Sequence, residues 1–126
     1  MDKKFFFYAL FSVFAVAVLS LAPLGENSSH CGLPWDKLVH FFMYLVLTVT
    51  VLRALTRTKI RRVYRISFIL PALFGVLMES AQYFLPYRSF EFCDMLCNIA
   101  GCAAGCFFYR LCHRGKFGVS GFAQRF

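Results

Sequence analysis

Four long apolar runs, divided by short polar segments, constrain this chain more than any other feature. They are Phe5–Ala22, with no charge; Leu38–Leu52, entered through Trp35, Asp36 and Lys37, with His40 as its one ionisable group; Ile66–Leu85, containing Glu79 and Gln82; and Met95–Cys112, containing Asn98 and, near its end, Arg110. A helix that crosses a bilayer needs roughly 20 residues, with about 17 tolerated. The first, third and fourth runs meet that length, and the second meets it once its amphipathic ends are counted. The chain therefore reads as all-α, an integral membrane bundle of four transmembrane helices. Composition supports this. Of 126 residues, 60% are hydrophobic and 17 are Phe, with a mean hydropathy of +0.62. A soluble domain of this size has no interior large enough for so much apolar surface.

Lys3 and Lys4 ahead of the first run would also suit a cleaved signal peptide. Pro23 follows Ala22 directly, however, and no small-x-small site closes the run, so it is expected to remain as a span. Residues 1–114 are expected to form one membrane domain. Residues 115–126, Gly-containing and basic, read as a flexible cytoplasmic tail.

The net charge of +8 suggests nucleic acid at first sight, but its placement fits membrane topology better. With the N-terminus inside, 12 of the 14 basic residues fall in inner segments: Lys3 and Lys4, then Arg53 to Arg65, then Arg110 to Arg125. Only Lys37 and Arg88 fall outside, whereas Glu26, Asp36, Glu79, Glu91 and Asp94 lie at or near the outer face. Lys and Arg next to short spans set orientation, so both ends are expected in the cytoplasm. The loop TRTKIRRVYR then anchors topology and touches anionic headgroups. It carries one aromatic residue, Tyr64, and is pinned to the bilayer, so no nucleic-acid partner is expected.

That orientation brings polar residues of three spans to one depth. Asp36 and Lys37 open the second helix on the outside, with His40 one turn deeper and Tyr44 two. Glu79 and Gln82 occupy the outer third of the third helix. Asp94 lies at the mouth of the fourth, with Asn98 one turn in. At about 100° per residue, Asp36, His40 and Tyr44 form one stripe. Glu79 and Gln82, three apart, share a face. Asp94, Asn98, Gly101 and Gly105 occupy a narrow arc of the fourth helix, where small residues admit a close neighbour. An ionisable group facing lipid costs roughly 2.5–3.5 kcal/mol for Asp on the insertion scale. Such groups face the interior, pair with one another and mark sites. The bland alternative is that Glu79 pairs with His40 or Arg88 only to join helices.

The ordered set Asp36-Lys37-x-x-His40-x-x-x-Tyr44, Glu79-x-x-Gln82, Pro86, Arg88 and Asp94-x-x-x-Asn98-x-x-Gly101-x-x-x-Gly105 resembles the VanZ-like family of small bacterial membrane proteins. Ser20 and Pro23 also fit the way the first span ends in that family, and the resemblance runs from about Phe5 to Arg110. The family takes its name from a protein linked to resistance to teicoplanin-type glycopeptide antibiotics. The resemblance implies a multi-pass protein of the bacterial inner (plasma) membrane. It does not fix the chemistry.

Three functions fit these residues. In the first, the polar cluster is an outward-facing site for an anionic membrane lipid or a polyprenyl-linked envelope precursor. Lys37 and Arg88 then meet phosphate, and Asp36, Tyr44, Gln82, Asp94 and Asn98 complete the pocket. In the second, the pocket is an enzyme in which Glu79 and His40 act as general acid and base. In the third, it is an accessory or scaffold subunit with no ligand. No nucleophile elbow, phosphate loop or HExxH is present. No metal-ligand motif is present either, so no cofactor is expected, although two carboxylates with His40 could hold a divalent ion. Transport is disfavoured by the small bundle and the lack of an inverted repeat. A homo-oligomer is compatible with the sequence. Of the six cysteines, Cys97, Cys102, Cys106 and Cys112 read as small apolar packers in the fourth helix. Cys31 and Cys93 both fall outside, where a disulfide between them is permitted.

Overall fold

The structure is a computed structural model that describes residues 3–22, 35–56, 62–86 and 91–113. It contains four α-helices: α1 (Lys3–Leu21), α2 (Trp35–Leu55), α3 (Val63–Tyr83) and α4 (Phe92–Cys112). All four are long and apolar enough to cross a membrane. The chain is a multi-pass membrane protein, as its apolar runs require.

The helices alternate in direction. Gln82 near the end of α3 meets Ser20 near the end of α1, so these two run parallel. His40 near the start of α2 meets Asn98 near the start of α4, and Arg53 near the end of α2 meets His113 just past the end of α4. α2 and α4 are therefore parallel to each other and opposed to α1 and α3. α2 packs against the other three helices, most extensively against α4, while α1 and α4 do not meet.

Residue placement is inverted relative to a soluble protein. Phe7, Phe11 and Phe14 of α1, Phe42 of α2, Leu73 and Leu77 of α3, and Phe107 and Phe108 of α4 point outward. Ser20, His40, Thr48, Ser67, Glu79, Gln82, Asp94 and Asn98 are buried. Lipid is the solvent that makes this stable, because it accepts the aromatic exterior and rejects the polar interior. Two small apolar cores complete the bundle. Val16, Tyr44, Leu47 and Cys102 pack in its middle, and Leu52, Val63, Tyr64 and Tyr109 at the end where α2 stops and α3 begins.

The close approach of α2 and α4 depends on two glycines. A Cβ at Gly101 would fall on the Phe41 carbonyl, and one at Gly105 would lie 2.9 Å from the Leu45 carbonyl oxygen. These contacts are with backbone, so no side-chain rotation could relieve them. The expectation that the small residues of α4 admit a neighbouring helix is met, and that neighbour is α2.

Helix ends differ from the apolar runs by up to three residues. α2 begins at Trp35 and ends at Leu55, three residues beyond the run at each end, and α4 begins three residues early. Hydropathy registers only what suits lipid. A helix continues into the headgroup region because each added turn satisfies backbone groups. α3 stops at Tyr83, two residues before the run does, where Phe84 and Leu85 donate to Ala81 and Gln82 in tighter turns ahead of Pro86. Pro71 lies buried within α3. It cannot donate to the Ser67 carbonyl, a loss that neighbouring helices make tolerable in membranes.

Candidate functional site

At one end of the bundle, buried polar side chains from all four helices come together. The spacing of α2 sets the first part: Lys37, His40 and Tyr44 lie at intervals of three and four, on one face. α3 presents Glu79 and Gln82, again three apart. α4 presents Asp94 and Asn98, four apart, on the arc that continues through Gly101 and Gly105. Because those glycines press α4 onto α2, the stripes of the two helices meet directly.

The contacts are specific. His40 Nδ1 donates to Asn98 Oδ1 at 3.2 Å, deep in the protein. An amide oxygen only accepts, so this contact places a proton on Nδ1 and leaves Nε2 as the ring nitrogen facing away from Asn98. Lys37 Nζ donates to Glu91 Oε2 at 2.7 Å and lies 3.3 Å from Asp94 Oδ1. Gln82 Nε2 donates to the Ser20 carbonyl at 2.7 Å, which ties α3 to α1. The Tyr44 ring and Asn98 meet over Gly75 of α3, where a Cβ would stand 3.2 Å from Tyr44 Cε1 and 3.3 Å from Asn98 Cβ.

Three groups that can bind a proton or a metal come together at the centre. His40, Glu79 and Asp94, each from a different helix and each buried, bring one ligand-type atom apiece within 4.8 Å of one another. Glu79 is 1% exposed, His40 3% and Asp94 6%. Around them, the Tyr44 hydroxyl and Asn98 Nδ2 are buried and have no hydrogen-bond partner among the described residues. Buried polar atoms are nearly always satisfied, so these two donors are informative.

Charge balance departs from the sequence expectation. Lys37 was expected to meet phosphate as a point charge, but its ammonium faces Glu91 and Asp94 instead. With Glu79 included, three carboxylates surround one ammonium and one imidazole.

Among the expected site residues, the structure brings together Lys37, His40, Tyr44, Glu79, Gln82, Asp94 and Asn98. Arg88 and the side chain of Asp36 lie outside the described residues, as does Cys31 and with it the proposed Cys31–Cys93 pair. The tail, 115–126, lies outside them too. Sequence reasoning missed Glu91 as the partner of Lys37, and missed Gly75 as the floor beneath Tyr44 and Asn98. Gly75 lies one helical turn from Glu79, a signal that could have found it.

The opposite end of the bundle is different in kind. Arg53 Nη1 donates to His113 Nε2 at 3.1 Å, His113 Nδ1 donates to the Tyr109 carbonyl at 3.0 Å, and the Arg53 guanidinium lies 4.7 Å from the centre of the Phe5 ring. A groove of about 400 Å³ opens nearby between α3 and α4, with Arg65 and Arg110 among its lining residues and Tyr64, Phe68 and Phe107 supplying apolar wall. It shares no residue with the polar cluster.

A sequence model of the family described as VanZ/LLP1 matches residues 4–113. The chain is also similar to an uncharacterized protein of the fission yeast Schizosaccharomyces pombe, with 31% identity over 82 residues, covering 64% of this chain and 50% of the yeast protein. The chain thus spans about half the length of that curated relative. No solved structure matches it.

Proposed function

The chain belongs to the VanZ/LLP1 family, and we propose that its polar cluster is a membrane-embedded site for the phosphate-bearing headgroup of a lipid. One observation carries this reading: Ser20, Lys37, His40, Tyr44, Glu79, Gln82, Asp94 and Asn98 gather at one end of a small bundle whose exterior is apolar. Helix packing alone would be served more cheaply by Leu, Ala and Gly, because each buried ionisable group costs a few kcal/mol in a membrane. Grouped polar residues at headgroup depth fit a ligand that is itself part lipid and part polar.

The cluster faces the extracytoplasmic side under the orientation that the basic residues favour, with both termini inside. In a bacterial plasma membrane, a polyprenyl-linked envelope precursor fits that depth. Such a ligand would connect the site to glycopeptide susceptibility. The similarity to a yeast protein turns attention to what lipids of very different membranes share, a phosphate group on an apolar anchor. Arg88, in the sequence between α3 and α4, has the guanidinium suited to grip that phosphate with paired hydrogen bonds.

Native mass spectrometry of gently extracted protein tests the reading. A phosphate-bearing lipid should co-purify with the wild-type chain and be lost from Arg88→Ala and Asn98→Leu. Absence of any such lipid, or equal retention by both variants, would contradict it.

A second reading, an enzyme acting on the headgroup, is favoured by the fixed His40 ring. Its Nδ1 is held by Asn98 while Glu79 and Asp94 lie within reach, the arrangement a general base needs. His40→Ala and Glu79→Gln would then abolish turnover while lipid still co-purifies.

A further inference from the structure

We propose that His40, Glu79 and Asp94 form a divalent-cation site, and that the cation carries the lipid phosphate. The second half rests on the headgroup reading above; the first stands on geometry alone. The three residues come from α2, α3 and α4, all are buried, and their ligand atoms lie within 4.8 Å of one another. A metal ion bonded at about 2.0–2.2 Å to each would draw such atoms to roughly 3–4 Å apart, a closure within the reach of side-chain rotation. One imidazole nitrogen with two carboxylates suits a first-row transition ion such as Mn²⁺ or Zn²⁺ better than Ca²⁺ or Mg²⁺, which favour all-oxygen shells.

Two independent features support the assignment. The first is the hydrogen bond from His40 Nδ1 to Asn98 Oδ1 at 3.2 Å. It engages Nδ1 and orients the ring, leaving Nε2 as the nitrogen a metal would take, the role outer partners play in metal sites. The second is that two buried donors beside the cluster, the Tyr44 hydroxyl and Asn98 Nδ2, have no partner among the described residues. Tyr44 and Asn98 stand together over Gly75, one helical turn from Glu79, and the Asn98 amide already touches His40. A water or phosphate oxygen on the metal would accept from both. Three protein ligands leave a coordination position open for that oxygen.

The cation also resolves the charge conflict at this end. With Lys37 spent on Glu91 and Asp94, the cluster would repel a phosphate placed directly against Glu79. A divalent ion between the carboxylates and the phosphate reverses that repulsion, as metals do for phosphoryl groups elsewhere.

The test is electron paramagnetic resonance of Mn²⁺ titrated into detergent-purified protein, chosen because Mn²⁺ has little affinity for the six cysteine thiols. The expected result is one tightly bound ion per chain. Glu79→Gln, Asp94→Asn and His40→Ala should each weaken binding by at least about 10-fold, and Asn98→Ala by about 10- to 100-fold. Ser80→Ala, at an exposed position, should bind as wild type does. Stoichiometric binding by wild type should also raise its unfolding temperature, a readout that needs no variant. Failure of wild type to bind Mn²⁺, or unchanged binding in Glu79→Gln and Asp94→Asn, would overturn the site. Lipid retention with and without chelator separates the two readings. Lipid kept in chelator overturns the bridging role and leaves the headgroup reading standing. Mn²⁺ bound with no lipid retained supports the cation site and defeats the headgroup reading.

Discussion

Gly101→Ala should separate α2 from α4 and disturb the polar cluster a full turn away. The added Cβ would fall on the Phe41 carbonyl oxygen, 3.1 Å from Phe41 C and 3.2 Å from Leu45 N. Ordinary carbon contacts lie at about 3.5–4.0 Å, and every opposing atom is backbone. The two helices must therefore part by roughly 0.5–1 Å to restore normal contact. His40 adjoins Phe41, and Asn98 precedes Gly101 by one turn. Their hydrogen bond, 3.2 Å long at the outset, would stretch past the useful range. Overpacking costs about 1–3 kcal/mol, and the lost bond about 0.5–1.5 kcal/mol. Together they give a destabilisation of about 1.5–4.5 kcal/mol. Reversible unfolding in mixed micelles measures it, with Ala100→Val on the exposed face of the same helix as the comparison. If Gly101→Ala unfolds within about 0.5 kcal/mol of wild type, the helices are not as close as described.

Other perturbations probe separate contacts. Gln82→Leu removes the bond to the Ser20 carbonyl and should cost about 1 kcal/mol in the same unfolding assay, through weaker attachment of α1. Lys37→Met leaves buried Asp94 without its cation and should cost about 3 kcal/mol; adding Asp94→Asn should recover most of it, which a double-mutant cycle reads directly. For topology, a cysteine at Glu91 should react with an impermeant thiol reagent in intact cells, whereas one at Thr56 should react only after permeabilisation.

Much of this arrangement is legible in the residue pattern because lipid leaves few choices. Uncharged runs such as Phe5–Ala22 are long and apolar enough to span, and Gly101 and Gly105 announce a close helix neighbour. His40, Glu79 and Asn98 reach one depth once the chain direction alternates. Three things were not legible. Spacing along one helix cannot say which nitrogen or oxygen faces which across helices, so the His40–Asn98 bond and the commitment of Lys37 to Glu91 emerge only in three dimensions. Two carboxylates with His40 were readable as a possible ion site, but that Glu79 and Asp94 bring their oxygens within 4.8 Å of the ring has no local motif, because each member comes from a different helix. Thr48 and Ser67 sit inside apolar runs, where hydropathy averages them away, yet both are fully buried.

The most direct check is pairwise thiol bridging in a chain whose native cysteines have been replaced. Cysteines at His40 with Asn98, and at His40 with Glu79, should be joined in high yield by a short bifunctional reagent, as should the Arg53 and His113 pair at the far end. Bridging at Arg53 and His113 with none at either His40 pair would mean that the buried groups of α2, α3 and α4 do not share a centre.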